Sequence, residues 1–282
     1  MSFRYANIHG RSALVSLDGT HFADLATVSA NQFDAHPMAA FSRWNDLRQF
    51  ATTLSADAFN TSLDPAALGA PSPQPWQVFG IGLNYRTHAE ESGMPIPASP
   101  LTFTKYTSSI SGPFDDITLG GNSVDWEVEL VAVIGNGGRN IAVADAWNAV
   151  AGLGVGQDIS DRTLQFATQP PQFSLGKSRQ GYSPFGPWLV DAQDLVNRDR
   201  LHMSMTLNGE TVQDTLTDDL IFDVPAIISY LSTIVELLPG DVIYTGTPGG
   251  VGMSHKPPRF LRPGDVITST IEGIGSTTNR CR

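Results

Sequence analysis

The chain has 282 residues, which is enough to bury a full hydrophobic core in one large domain, or in one large and one small domain. Its 28 acidic residues outnumber its 17 lysines and arginines, and the net charge of −11 argues against a surface that binds nucleic acid. Cys281 is the only cysteine, so the sequence has neither a disulfide framework nor a cysteine cluster for zinc.

The N-terminal segment predicts a small β-rich domain of a cytoplasmic protein. Residues 1–7 lack the apolar core of a signal peptide, and no apolar stretch reaches the about 18 residues of a membrane span, so we expect no membrane partner. Turn signals and apolar periodicity predict three strands and a helix, at residues 3–8, 13–17, 21–25 and 37–59. Prolines crowd residues 65–75, which predicts a connector and divides the chain into residues 1–72 and 73–282.

The second segment predicts an α+β domain that is mainly β. Alternating or apolar runs indicate strands at residues 78–83, 101–104, 127–134, 189–190, 202–207, 242–245 and 266–271. The best helix candidates are residues 143–150 and 224–235. No regular alternation of strand and helix runs through the chain, so a parallel α/β sheet is not expected.

A row of carboxylates, Asp125, Glu127 and Glu129, heads an apolar run of five residues. In a β-strand these side chains would share one face, with about 6.6 Å between successive members. Burying like charges unpaired costs several kcal/mol each, and no lysine or arginine occurs between residues 106 and 138. A divalent cation such as Mg²⁺ would balance them. The structural alternative is an acidic strand end that projects into solvent.

A short helix is predicted within residues 82–93, which follow an apolar strand and end in a glycine. His88 and Glu91 are neighbours at i and i+3 on such a helix. A carboxylate beside a histidine raises its basicity and orients its ring, which is typical of a general-base pair. A capping box over residues 87–90, with Glu90 satisfying the helix start, is a compatible structural interpretation.

Two glycine-rich stretches, residues 152–156 and 245–252, do not match nucleotide-binding motifs. The first lacks the third glycine of the dinucleotide pattern, and the second lacks the Gly-Lys-Ser/Thr ending of a phosphate loop. The second is better interpreted as a tight loop that offers backbone N–H groups and the Thr247 hydroxyl to an anion. Serine-hydrolase and zinc-protease motifs do not occur in the sequence.

Several ordered motifs together resemble the fumarylacetoacetate hydrolase family over roughly residues 77–282. They are Gly80–Tyr85 followed by His88 and Glu91, the series Asp125, Glu127, Glu129 and Leu130, then Asp158–Arg162, Gly186–Trp188, Asn208–Glu210, Pro239–Asp241 and Thr245–Pro248. The resemblance implies a mixed β-sandwich roll with a small N-terminal domain, as in many bacterial members. It also implies a homodimer and a bound Mg²⁺, for which Mn²⁺ or Ca²⁺ could substitute.

The resemblance further implies a role for each matching residue. The metal ligands would be Glu127, Glu129 and Asp158, the water-activating pair His88 and Glu91, the lysine at the reacting carbonyl Lys177, and the substrate contacts Tyr85, Arg162, Gln165 and Thr247, of which Thr247 would hold the substrate carboxylate. One departure follows Lys177, where many members read Ser-Phe-Asp-x-Phe and this chain reads Ser-Arg-Gln-Gly-Tyr. Arg179 in that segment either meets a second carboxylate or is a solvated surface residue.

The family's substrates share a 2-oxo acid or 1,3-dicarbonyl unit that can chelate a metal acting as a Lewis acid. The leading hypothesis is therefore hydrolysis of a carbon–carbon bond in an acylpyruvate-like compound such as maleylpyruvate or fumarylpyruvate, a step of aromatic catabolism. Its rivals are decarboxylation of oxaloacetate and isomerisation or dehydration of a related 2-oxo acid. A metal-stabilised binding protein without turnover is a remote alternative.

Overall fold

The computed structural model describes residues 3–282 and consists mainly of β-strands with short helices, as predicted. The strands are β1 (Arg4–Ile8), β2 (Arg11–Val15), β3 (His21–Asp24), β4 (Thr61–Ser62), β5 (Leu68–Gly69), β6 (Val78–Gly82), β7 (Leu101–Thr104), β8 (Ile110–Ser111), β9 (Val124–Asp125), β10 (Val128–Ile134), β11 (Val150–Gln157), β12 (Ser160–Asp161), β13 (Ser183–Val190), β14 (His202–Leu207), β15 (Glu210–Leu216), β16 (Val242–Tyr244), β17 (Val266–Ile271) and β18 (Gly275–Arg280). The α-helices are α1 (Leu25–Val28), α2 (Trp44–Ala51), α3 (Arg86–Ser92), α4 (Ala146–Ala149), α5 (Arg162–Gln165), α6 (Phe173–Gly176) and α7 (Val224–Ile234). Short 3₁₀ helices span Pro37–Arg43, Ala56–Ala58, Pro65–Ala67, Thr107–Ser109, Val143–Asp145, Thr217–Asp219 and Gly252–Ser254.

One large sheet organises the molecule. Its strands follow the order β4-β3-β2-β1-β13-β11-β10-β16-β6-β7, with β5 paired to β1 and β8 paired to β13. Strand β10 lies between β11 and β16, and all seven of its residues are buried. A four-stranded sheet, β15-β14-β17-β18, packs against it across a core that includes Leu130, Met203 and Ile267. Strands β9 and β12 form a separate two-stranded ribbon at the start of β10.

The N-terminal segment joins this large sheet. The strands expected in the first 25 residues form as β1, β2 and β3, and β1 pairs antiparallel with β13 through Tyr5 and Leu189. Its aromatic residues Phe41 and Trp44 share a core cluster with Val131 on β10. The division of the chain at residue 72 stays a prediction, and in the structure the two segments share one sheet and one core.

The helix expected over residues 37–59 is shorter and interrupted. A 3₁₀ turn begins at Pro37, helix α2 follows, and a second 3₁₀ turn comes at residues 56–58. The α-helix ends because the hydroxyls of Thr52 and Thr53 donate to the carbonyls of Gln49 and Phe50, which competes with continued helix. The helices predicted at 143–150 and 224–235 are confirmed. Within residues 3–282, no helix has the length and hydropathy that crossing a bilayer requires.

Sequence reasoning did not predict strands β11, β15 and β18 or most of β13, and β11 is notable for its three glycines. In the structure these glycines make room for neighbouring strands. A Cβ on Gly156 would lie 2.5 Å from Val131 Cγ2, and one on Gly152 would lie 2.8 Å from Leu189 Cβ. The glycine run therefore allows close packing at the centre of the large sheet.

Candidate active site

Three carboxylates come together where β10 and β11 meet. Glu127 precedes β10, Glu129 is its second residue, and Asp158 follows β11. Each offers an oxygen atom within 4.8 Å of the others, and all three side chains are buried. We call this set the carboxylate floor. The family resemblance implied these three residues as metal ligands, and the structure brings them together.

The prediction of one continuous strand from Asp125 to Glu129 is wrong. Strand β9 ends at Asp125, Trp126 and Glu127 belong to no strand, and β10 begins at Val128. The Asp125 carboxylate turns back to accept the N–H groups of Trp126 and Gly252, at 2.8 and 2.7 Å. Asp125 is therefore occupied by backbone donors and lies outside the floor, in agreement with its exclusion from the ligand set.

Two buried glutamines accept hydrogen bonds from the backbone between β9 and β10. The Gln157 side-chain oxygen accepts the Glu127 N–H at 2.9 Å, and the Gln213 oxygen accepts the Val128 N–H at 3.0 Å. Each amide nitrogen then donates elsewhere, Gln157 to Ser269 Oγ at 2.8 Å and Gln213 to Thr247 Oγ1 at 2.9 Å. The two glutamines thus link the floor to the four-stranded sheet and to the loop after β16.

Three cations that are distant in sequence face the floor. Lys177 Nζ lies 2.7 Å from both Glu127 and Asp158, and Arg162 Nη2 lies 2.7 Å from both Asp125 and Glu127. Lys105 Nζ donates to Asp158 and to the carbonyls of Lys177 and Tyr182. The local sequence has no lysine or arginine between residues 106 and 138, and all three cations reach the carboxylates through the fold of the chain.

The charges nevertheless remain incompletely balanced at Glu129. Four carboxylates, those of the floor and Asp125, face three cations, and no lysine or arginine of residues 3–282 forms an ion pair with Glu129. Burial, followed by the charges of Asp158 and Glu127, raises the pKa of Glu129 well above its usual range. Burial also acts to raise the pKa of Glu127, but Lys177 and Arg162 outweigh it and lower that pKa to about 2.

The residues of the floor fit a divalent cation. Carboxylate oxygens are the ligands that Mg²⁺ and Mn²⁺ favour. The excess negative charge at Glu129 is relieved by a cation bound among the three carboxylates. The Lys177 ammonium has three protons, of which two are donated to Glu127 and Asp158. These neighbouring carboxylates offset burial and raise the pKa of Lys177, so it remains a hydrogen-bond donor.

The predicted substrate contacts Arg162 and Gln165 lie beside the floor on α5. Arg162 Nη1 donates to Gln165 Oε1 at 2.9 Å, and both side chains line the same cavity as Glu127 and Lys177. Asp161 caps α5 by accepting the Leu164 N–H at 3.1 Å. The guanidinium therefore has a fixed orientation, with its charge already shared between two carboxylates.

His88 and Glu91 lie on α3 at the wall of the cavity. His88 Nδ1 is 3.5 Å from Glu91 Oε2, a long contact for a hydrogen bond, and the Glu91 carboxylate also accepts the Gly250 N–H at 3.2 Å. Burial acts to raise the pKa of Glu91, but the bonds from His88 and Gly250 together lower it. The proposed capping box does not form, because the Thr87 N–H and hydroxyl both donate to Asp219.

The loop after β16 supports the floor from the other side. The Gly246 N–H donates to Glu129 Oε2 at 2.7 Å, and Gly246 adopts a φ of +107° with Asn84 so close that a Cβ would lie 2.7 Å from its side chain. Thr247 lines the cavity, but its hydroxyl donates to Val128 O at 2.9 Å. Since a hydroxyl has one proton, Thr247 can hold a substrate carboxylate through its hydroxyl only if that bond breaks.

Two further residues lie away from the cavity lining. Tyr85 is completely buried, and its hydroxyl has no hydrogen-bond partner among the described residues, so its predicted substrate contact stays a prediction. Arg179 fits the second expected alternative, a solvated surface residue, since its side chain is 43% exposed. Its Nε donates to Asp161 Oδ2 at 3.0 Å, and its side chain packs against Gly120, outside the cavity.

The site opens into a cavity of about 1000 Å³ lined by the predicted residues Glu127, Lys177, Arg162, Gln165, His88 and Thr247. Sequence reasoning missed Lys105, Gln157 and Gln213, whose contacts with the floor depend on chain folding. A weak signal existed for two of them, since Lys105 directly follows a predicted strand and Gln157 directly precedes Asp158.

Most of the chain matches one family of known proteins. A sequence model described as fumarylacetoacetate (FAA) hydrolase C-terminal matches residues 77–282. Human mitochondrial oxaloacetate tautomerase FAHD2A is 41% identical over 213 residues, which cover 75% of this chain and 68% of the human protein. The family match therefore extends over more than half of the chain.

Solved structures resemble the chain over almost its whole length. A crystal structure of an HpcE protein from Mycobacterium smegmatis has 48% identity and a TM-score of 0.93, and it covers 99% of this chain and 98% of that one. Maleylpyruvate hydrolase from Sphingobium sp. SYK-6, solved with manganese(II) ion and pyruvate, has 26% identity and a TM-score of 0.80, with 99% and 98% coverage. These matches include the segment that precedes residue 77.

Proposed function

The chain belongs to the fumarylacetoacetate hydrolase family, and from this premise we propose that it is a metal-dependent hydrolase that cleaves a carbon–carbon bond in an acylpyruvate. One observation carries the proposal. A single cavity is lined by Glu127 of the carboxylate floor, which is suited to a divalent cation, by Lys177, and by His88, which lies beside Glu91. Its volume of about 1000 Å³ also exceeds what a four-carbon acid such as oxaloacetate would fill.

The floor provides the metal site in this proposal. Glu127, Glu129 and Asp158 would hold Mg²⁺ or Mn²⁺, which would supply Lewis acidity toward the carboxylate and 2-oxo oxygens of the substrate. The maleylpyruvate hydrolase that resembles this chain was solved with manganese(II) and pyruvate, which supports such a site. Gln157 and Gln213 hold the backbone N–H groups of Glu127 and Val128 in place.

His88 on the cavity wall provides the base, and Lys177 beside the floor provides a hydrogen-bond donor. His88, held by Glu91, removes a proton from a water molecule, and the resulting hydroxide adds to the acyl carbonyl carbon. Lys177 directs its third proton into the cavity, where it stabilises negative charge that develops on oxygen. The bond between the acyl and pyruvyl carbons then breaks, so that the products are a carboxylic acid and, after protonation at carbon, pyruvate.

Keto–enol conversion of oxaloacetate is a second candidate. It is favoured by the 41% identity to the human oxaloacetate tautomerase. The same His88–Glu91 pair could move a proton between carbon and oxygen without any attacking water. Tautomerisation therefore needs the same residues but not the volume for an acyl group.

Product masses separate these reactions. The protein with Mn²⁺ or Mg²⁺ is incubated with a set of acylpyruvates and with oxaloacetate, and the products are identified by mass spectrometry. Hydrolysis adds one water and yields pyruvate with a carboxylic acid, decarboxylation releases carbon dioxide, and tautomerisation leaves the mass unchanged. The proposal expects pyruvate from at least one acylpyruvate. Conversion of oxaloacetate alone, seen as a change in the ultraviolet absorbance of its enol without a change in mass, would replace the hydrolase with the tautomerase.

A further inference from the structure

The cavity beyond the floor is lined by apolar side chains interspersed with uncharged hydroxyl and amide side chains. Next to the floor, the Nζ atom of Lys177 lies 5.2 Å from the centre of the Phe103 ring. Phe103 contacts Phe173 edge-on at 5.7 Å, and Phe173 contacts Phe166 at 6.1 Å. We call these three phenylalanines the aromatic wall. It leads from the reacting end of the site to its mouth, where Phe166 is 42% exposed.

Other apolar residues lie open to solvent around the same mouth. Met94, Leu101 and Met253 line the cavity with exposures of 55%, 49% and 39%. Exposed apolar surface of this kind is costly in water and is typical of a binding site for an apolar group. The reacting end of the cavity is strongly polar, so its apolar part is available for the portion of a substrate that does not react.

No cation is available along this apolar part. Among the cavity-lining residues of the described chain, Arg162 and Lys177 are the only arginine and lysine, and both belong to the ion pairs of the floor. Arg179 is paired with Asp161 outside the cavity, and Arg86 donates to backbone carbonyls. His88 is the remaining basic group on the wall, and Glu91 lies beside it.

From this distribution we infer that the substrate is an acylpyruvate whose acyl group is apolar, an aryl or alkyl group packed on the aromatic wall. The inference rests on the proposed function and narrows it. A distal carboxylate, as in maleylpyruvate or fumarylpyruvate, would be transferred from water to the aromatic wall with no cation to pair with, which strongly disfavours its binding. An uncharged phenyl or alkyl group gains from the same transfer.

A matched pair of substrates tests the inference. Benzoylpyruvate and fumarylpyruvate both carry a flat acyl group, but only the second has a distal carboxylate. The wild-type protein with Mn²⁺ should favour benzoylpyruvate by about 100-fold or more in kcat/KM, because a site without a partner discriminates strongly against a buried charge. Equal or better cleavage of fumarylpyruvate would overturn the inference.

Variants of the aromatic wall test whether it determines the substrate preference. Phe166→Arg places a cation at the mouth and should shift the preference toward fumarylpyruvate by about tenfold or more. Phe166→Met keeps the wall apolar, and Leu17→Arg adds the same charge on a distant exposed residue, so both should retain the parent's preference. An unchanged preference in Phe166→Arg would show that the acyl group does not lie on the aromatic wall.

A binding measurement separates this inference from the proposed reaction. If none of the acylpyruvates is cleaved, the proposed hydrolysis is wrong, while the wall can still be tested without turnover. Isothermal titration of the Mn²⁺-loaded protein with 2-oxo-4-phenylbutanoate and with 2-oxoglutarate compares an apolar and a charged end on the same 2-oxo acid. Tighter binding of the phenyl compound supports the inference, and tighter binding of 2-oxoglutarate overturns it.

Discussion

The carboxylate floor and the His88–Glu91 pair face the same cavity but are held very differently. Every floor residue is buried, and two of the three carboxylates have direct cation partners. The pair on α3 has side-chain exposures of 15% and 29%, and its two members are joined by a single contact of 3.5 Å. The difference indicates that the floor is built before any ligand binds, whereas the base pair can tighten when a substrate arrives.

Substitutions within the floor should have the largest effect, and their effect on stability should differ between Glu127 and Glu129. Glu127→Gln removes one of the two carboxylate partners of both Lys177 and Arg162 and should destabilise the metal-free protein by about 3–5 kcal/mol. Glu129→Gln removes the carboxylate without a cation partner and should leave stability unchanged or raised. Urea unfolding in the presence of EDTA measures both variants. Equal loss of stability in the two would contradict the charge distribution described here.

Both substitutions should also weaken Mn²⁺ binding steeply and abolish turnover, because each removes a ligand oxygen with its charge. Titration with Mn²⁺ checks this, with the parent protein as reference. Unchanged binding and turnover in both variants would remove these two residues from the proposed metal site.

Loss of the base pair should be the next largest effect and should spare the metal site. His88→Ala is expected to lower hydrolytic turnover by about 10²-fold to 10⁴-fold, the usual range for a positioned base. Mn²⁺ affinity should remain close to that of the parent, since His88 lines the cavity from α3 and is not a floor residue. Steady-state kinetics and metal titration on the same preparation measure the two quantities.

Two controls make the His88 result specific. Glu90→Gln changes a neighbouring exposed glutamate on α3 and should leave turnover unchanged. Any decarboxylation of oxaloacetate should fall far less than hydrolysis in His88→Ala, since that reaction needs no attacking water. If His88→Ala cleaves acylpyruvates at the parent rate, water activation by this pair is refuted, and another group must act as the base.

The buried glutamines should have a smaller effect, visible mainly in metal affinity. Gln157→Leu and Gln213→Leu each remove an acceptor for a backbone N–H beside Glu127, and we expect a loss of about 10-fold to 100-fold in Mn²⁺ affinity. Gln49→Leu, at an exposed position on α2, is the matched control. A fall in thermal stability without any change in Mn²⁺ affinity would show that the glutamines support only the core.

The pH dependence of stability should show the smallest effect. Because the pKa of Glu129 is raised above the usual 4.5, the folded chain keeps a proton that the unfolded chain has lost. Stability of the metal-free protein should therefore fall as pH rises above about 4.5, by up to about 1.4 kcal/mol per pH unit from this group. The slope should be smaller in Glu129→Gln, and an identical slope in both proteins would argue against a raised pKa.

The sequence predicted local features well and long-range contacts poorly. Strands such as β7, β14 and β17 follow from alternation and apolar content, the acidic motif identified Glu127 and Glu129, and the family resemblance added Asp158. The pairing of Lys105 with Asp158 joins residues 53 positions apart and depends on the sheet order, which no local pattern encodes. The Gly152–Gly156 run was missed as a strand because its glycines are explained only by the neighbours that pack on them. A homodimer and a cytoplasmic location stay predictions.

Cleavage in oxygen-18 water tests the central claim most directly. An acylpyruvate is incubated with the Mn²⁺-loaded protein in labelled water, and the carboxylic acid product is analysed by mass spectrometry. If His88 activates water to attack the acyl carbonyl, the acid should carry one labelled oxygen, and it should form at least about 100-fold more slowly in His88→Ala. Absence of the acid, or formation of the labelled acid at the same rate in the variant, would contradict the account.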